Sequence, residues 1–182
     1  MFYLFKEKVL SDSACQNLID KANSIGFSPA KVNIYGKMKD ATHIRNNQRI
    51  EYADNLLAKN LEQIIIENFP IILSFKNKKF FSLNEYFRFY HYSPGEFFKP
   101  HKDGQIKIDG NESLITVLFY LNDSNGGETI LMPNGYSNKE SWIYITPKKG
   151  SVLLFEHNFW HEGRPVTSGE KIILRSDLFY NI

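Results

Sequence analysis

A chain of 182 residues in which 42% are hydrophobic, 15% aromatic and 23% charged can bury a core without disulfides or metal staples, and its length suits one domain covering residues 1–182. Net charge is only +2 and the Lys and Arg residues are scattered, which argues against an electrostatic nucleic-acid surface or a membrane surface. Cys15 is the single cysteine, excluding an internal disulfide; with no basic leader and no run of roughly 18 apolar residues, the expectation is a soluble cytoplasmic protein.

The first expected element is a helix capped by Ser11 or Asp12, with Cys15, Leu18, Ile19 and Ala22 on one face, ending before Gly26. A second helix is read from Ala53, Leu56, Leu57, Leu61, Ile64 and Ile65, closed by Pro70, and should lay one face on a sheet. Between them, Lys31 to Arg49 is polar and irregular, a loop or short strands. From Tyr86 onward the pattern changes to short aromatic or β-branched runs: Tyr86–Tyr92, Leu114–Leu121, Glu128–Leu131, Trp142–Thr146, Ser151–Phe155 and Lys171–Tyr180. Ser93-Pro-Gly95, Asn125-Gly-Gly127 and Pro147-Lys-Lys-Gly150 supply the turns, so the second half reads as an antiparallel sandwich or barrel.

Chemistry concentrates on three residues. A mononuclear iron(II) that must also accept a chelating co-substrate and dioxygen can take only three protein ligands on one face, and two imidazoles with a carboxylate serve. His101 and Asp103 are two apart, so an extended chain points both the same way at the rim of a sheet. Alone the pair also fits a surface polar couple. For the distal imidazole His157 and His161 compete, each near the end of a strand.

The segment Tyr92-Ser-Pro-Gly-Glu-Phe-Phe-Lys-Pro-His101-Lys-Asp103 resembles the stretch of prolyl 4-hydroxylases in which a Tyr and a Pro-Gly turn lead to His-x-Asp ligands. Leu114-Ile-Thr-Val-Leu-Phe-Tyr-Leu-Asn-Asp123 with Gly126-Gly-Glu-Thr129, then Lys149-Gly-Ser-Val-Leu-Leu-Phe155, then His161-Glu-Gly-Arg-Pro-Val-Thr-Ser-Gly-Glu-Lys171, resemble the following motifs of that family in the same order. The resemblance covers about half the chain, Tyr86 to Tyr180, and selects His161 over His157. It implies an α+β protein, a double-stranded β-helix (jelly-roll) core over 81–182 with N-terminal helical support over 1–80 packed on one sheet. It also implies an Fe(II)- and 2-oxoglutarate-dependent dioxygenase using O2, with ascorbate as an optional stimulant.

Under that resemblance the metal ligands are His101, Asp103 and His161. The 5-carboxylate of 2-oxoglutarate needs a buried cation. Lys171 holds the family's position, and Arg175, four residues on along the same strand face, is its physical rival, being able to bind a carboxylate in two places. Tyr92 and Thr116 are candidate hydroxyl donors to the same carboxylate. Arg88 and Tyr90 share a strand face with Tyr92 and are expected to line the approach or orient substrate; Arg45 and Arg49 sit in the Lys31–Arg49 loop, the candidate lid, where they could meet an acidic or carbonyl-rich substrate. The implied reaction is hydroxylation of a prolyl or other amino-acid residue in a peptide or protein, with release of succinate and CO2. A small-molecule or nucleic-acid oxygenase and a non-catalytic jelly-roll binding module are the alternatives. The sequence Arg175-Ser-Asp177 departs from the more apolar family pattern and weakens the word prolyl.

Overall fold

The computed structural model describes residues 2–34 and 36–182. Strand β1 (Tyr3–Lys6) precedes helix α1 (Asp12–Ile25). Ser11 caps α1 by accepting from the Ala14 N–H at 3.1 Å; Cys15, Leu18 and Ala22 are buried, and Gly26 closes the helix at φ 90°. Strand β2 (Gln48–Ala53) leads into α2 (Asn55–Asn68), which is capped by Asp54 accepting from the Leu57 N–H at 2.9 Å. The boundary therefore falls after Ala53, which finishes a strand. Leu56, expected on the apolar face, is 70% exposed, because the cap rotates Ala58, Leu61 and Ile65 inward instead.

Beyond α2 run β3 (Lys78–Leu83), β4 (Tyr86–Tyr92), β5 (Phe98–His101), β6 (Asn111–Tyr120), β7 (Thr129–Met132), β8 (Ile143–Ile145), β9 (Val152–Glu156), β10 (Trp160–Gly163) and β11 (Lys171–Asn181). The larger sheet follows the order β1-β9-β6-β11-β4-β2, with β3 also paired to β11, and the smaller follows β8-β7-β10-β5. All these pairings are antiparallel. This is the expected jelly roll with helices on one sheet.

Two-residue alternation along the strands divides the apolar residues into two cores. Phe87 and Phe89 of β4, Val117 and Phe119 of β6, and Leu174 of β11 join Leu18, Leu61 and Ile65 of the helices in the first. Tyr90, Tyr92, Leu118, Tyr120 and Ile173, the alternate residues of the same strands, meet Leu131 of β7 in the second, inside the jelly roll. The inner face thus also receives Thr116 and Lys171, both buried, and Arg175, which is partly buried, all turned inward by strand geometry.

The Lys31–Arg49 segment is more structured than a loop. Val32–Ile34 pairs with Lys37–Lys39, Ser28–Pro29 pairs with β2, and Arg45 bridges to Phe98; Tyr35, within the span of the expected lid, lies outside the described residues. No described helix is long and apolar enough to cross a membrane.

Candidate metal centre

His101 is the last residue of β5 and His161 lies in β10, and the two are direct cross-strand partners, with ring centroids 4.1 Å apart. Asp103 follows β5 by two residues. One ligand atom from each of His101, Asp103 and His161 falls within 4.8 Å of the others, a spacing that a single ion can bridge. His157 goes elsewhere: its Nε2 lies 3.3 Å from Asp177.

Each member is oriented by its own partner. His101 Nδ1 meets the Lys99 carbonyl at 2.8 Å and His161 Nδ1 meets the Phe159 carbonyl at 3.1 Å. Those contacts assign the proton to Nδ1 and leave Nε2 with its lone pair toward Asp103. Burial holds His101 well below the usual imidazole range and likewise lowers His161, so both rings are neutral as ligation requires. Burial works against the Asp103 carboxylate, but Arg175 and the Thr116 hydroxyl outweigh it and keep the group ionised.

The site also corrects two expectations. Thr116 does not turn its hydroxyl to a co-substrate: it donates to Asp103 Oδ2 at 2.6 Å. Arg175 is spent on carboxylates of the chain itself, 3.2 Å from Asp103 and 2.9 Å from Asp177, which leaves Lys171, of the two, as the cation with no acid beside it among the described residues. A Thr116→Val variant should therefore bind Co(II) or Zn(II) about 10- to 100-fold more weakly, since only the orientation of a ligand carboxylate is lost; competition titration of the metal-free protein measures it.

Lys171 is fully buried, donates to the Gly127 carbonyl at 2.7 Å, and sits 4.4 Å from the centroid of the Tyr92 ring. No carboxylate pairs with it among the described residues. Burial brings its ammonium down to about 7, against the distant pull of Glu128. A Cβ at Gly163 would stand 3.6 Å from Lys171 Nζ and 3.7 Å from the Tyr92 hydroxyl, so a glycine keeps the space before them open. Lys171, Tyr92 and Thr129 line the same cavity as His101, Asp103 and His161.

Among the other expected residues, Tyr90 lines this cavity, whereas Arg88 lies between Glu51 and Asp177, 3.7 Å from each. Arg49 pairs with Glu51 at 3.2 Å. Arg45 is not a surface residue awaiting substrate: it is 4% exposed, bonded to Asn47, with its guanidinium carbon 4.0 Å above the Phe98 ring. Phe98 in turn stacks on His101 at 3.6 Å. Phe98, Tyr120 and Thr129 were not anticipated. Tyr120 donates to Thr129 at 2.8 Å, and only the inward parity of Tyr120 with Thr116 hinted at its place.

A jelly roll that gathers two imidazoles and a carboxylate at one end of a buried cavity, with a lone lysine in the same cavity, is the architecture of a mononuclear metal site paired with an anion site. Residues 87–176 match the family model of the 2OG-Fe(II) oxygenase superfamily, and the jelly-roll half of the chain belongs to that superfamily. The chain is 37% identical over 65 residues to Probable prolyl 4-hydroxylase 11 of Arabidopsis thaliana, a match covering 35% of this chain and 22% of that protein. It thus spans about a fifth of that relative's length.

Solved structures agree in fold. A prolyl hydroxylase of Trichoplax adhaerens, in complex with a hypoxia inducible factor peptide fragment, superposes with a TM-score of 0.73 at 20% identity, covering 98% of this chain and 83% of that one. The viral collagen prolyl hydroxylase of Paramecium Bursaria Chlorella virus-1 gives 0.67 at 22%, covering 100% and 97%. A Pseudomonas putida prolyl-4-hydroxylase gives 0.67 at 16%, covering 97% and 91%.

Proposed function

We propose that residues 1–182 work as one Fe(II)- and 2-oxoglutarate-dependent dioxygenase domain that hydroxylates an unactivated C–H bond, with an amino-acid residue of a peptide or protein as substrate. In balance, the substrate C–H, 2-oxoglutarate and O2 give the C–OH, succinate and CO2. The observation that carries this reading is the shared lining of one cavity by the triad and by Lys171, a buried cation with no acid of its own.

His101, Asp103 and His161 would hold Fe(II). Bound there, the metal supplies the activation of dioxygen. Lys171 would receive the far carboxylate of 2-oxoglutarate, with the Tyr92 and Thr129 hydroxyls beside it, replacing the water that an ionised carboxylate loses on burial. Thr116 and Arg175 hold the Asp103 carboxylate in place, and the inner core of Leu118, Leu131, Phe155 and Ile173 excludes water around it. The single cysteine fits a reducing, cytoplasmic setting.

The test is succinate formation by purified protein supplied with Fe(II), 2-oxoglutarate, O2 and ascorbate. Metal-dependent succinate is expected, enhanced by the right substrate. If neither succinate nor 2-oxoglutarate-dependent metal binding were found, the jelly roll would be a binding module.

A further inference from the structure

The run Arg175-Ser-Asp177, where the chain departs from the more apolar family pattern, places an acid that the proposed reaction does not use. Arg175 and Asp177 are two apart on β11, so both turn inward, while Ser176 faces the other way and donates to the Asn84 carbonyl at 2.7 Å. Asp177 is fully buried and stands directly opposite Thr116 of β6, the residue that donates to Asp103. Thr116 reaches the ligand carboxylate directly; Asp177 reaches it through Arg175.

The two terminal nitrogens of a guanidinium are spaced to clasp both oxygens of one carboxylate. In Arg175 that fork is divided: Nη1 stands 3.2 Å from Asp103 Oδ1, and Nη2 donates to Asp177 Oδ1 at 2.9 Å. Asp103 therefore meets one nitrogen of Arg175 at one oxygen, while its Oδ2 accepts from Thr116 and faces His161 Nε2 at 3.5 Å. A carboxylate clasped at both oxygens by an arginine is a poor metal ligand, because that charge-assisted pair must first be broken. His157 Nε2, 3.3 Å from the same Asp177 oxygen, and Arg88, 3.7 Å from the other, hold Asp177 in turn.

We infer that Asp177 is a positioning residue for the metal centre: by holding one nitrogen of Arg175, it stops the arginine from clasping Asp103 and keeps that carboxylate available to an ion. The inference rests on His101, Asp103 and His161 being the metal site proposed above, and is independent of what the loaded enzyme oxidises. Without the charge of Asp177, both nitrogens of Arg175 turn to Asp103 and compete with the metal for it.

Asp177→Asn keeps the shape of the side chain and removes its charge. In competition titration of the metal-free protein it should bind Co(II) about 10- to 100-fold more weakly than wild type, the range for a residue that orients a ligand. The visible spectrum of the bound Co(II), which follows its ligand set, should differ from that of wild type at saturation. Lysine offers one nitrogen and cannot clasp two oxygens, so Arg175→Lys combined with Asp177→Asn should recover most of the lost affinity. An Asp177 that served the fold alone would give no such recovery.

Co(II) affinity unchanged in Asp177→Asn, or a loss that Arg175→Lys does not relieve, overturns the inference and leaves the metal site standing. Should Asp177→Asn alone fail to fold, the comparison moves to the Arg175→Lys protein, where adding Asp177→Asn should change Co(II) affinity little; a loss of about tenfold or more there overturns the inference as well. No Co(II) binding by wild type would overturn the metal site and this inference with it.

Discussion

Lys171→Met should raise the KM for 2-oxoglutarate by about two to three orders of magnitude, because the incoming carboxylate would be buried without its cation, a loss of about 3–5 kcal/mol. The same substitution should stabilise the ligand-free protein. In the unfolded chain the ammonium keeps the ordinary value of 10.5, whereas burial brings it to about 7 in the fold. Between those values the unfolded state binds more protons, so wild-type stability rises with pH from about 7 to 10.5; below 7 the penalty is constant and at its largest, of the order of a few kcal/mol. Denaturant unfolding of Lys171→Met against wild type should show the variant more stable at pH 7, with the gap closing by pH 10. Binding of 2-oxoglutarate requires the ammonium, so kcat/KM for it should fall as pH rises through about 7. A flat profile, or a variant with unchanged KM, would remove Lys171 from the co-substrate site.

His161→Ala should abolish succinate formation and weaken Zn(II) or Co(II) binding by more than about a hundredfold, since even an outer partner of a ligand is worth 10 to 100. His157→Ala, the informative comparison, should keep its metal affinity, because His157 faces Asp177 and not the triad. Metal titration of the two variants by calorimetry separates them. Equal losses in both would mean that His161 acts through folding alone, and far-ultraviolet circular dichroism would reveal it.

The sequence carried the metal centre further than its local signals warranted. His101 and Asp103 could be paired from alternation, but the distal histidine needed four ordered motifs, and register then explains the choice: His161 is the residue directly opposite His101. Helix α1 was legible because Ser11, the Cys15-Leu18-Ala22 face and Gly26 all agree. Helix α2 was misplaced at its start, since Ala53 and Leu56 fit a helical period by spacing although Asp54 is the cap. The short strands β5 and β10 were not legible at all: Pro100 interrupts one, and the other mixes Trp160, His161 and Glu162 with no alternation. Nor could sequence reveal that Arg175 answers Asp103 and Asp177, for like-facing cations on one strand are equivalent until the acids opposite them are known.

The backbone of segment 44–47 is stitched to β5: Lys99 N–H donates to Ile44 at 2.9 Å, Asn46 N–H donates to Phe97 at 3.3 Å, and Phe97 N–H donates to the Asn46 side chain at 2.8 Å. His101, and Asp103 two residues beyond it, therefore hang on a four-residue strand that has β10 on one side and, among the described residues, this strap on the other. In hydrogen-exchange terms the strap and the ligand strand form one cooperative opening unit. Its opening frees the amides of Lys99 and Phe97 together, so slow exchange at those amides should report a closed strap. The jelly-roll half cut free of residues 44–47 would have an edge where it now has a seam, and its metal affinity would be set by how often that edge frays.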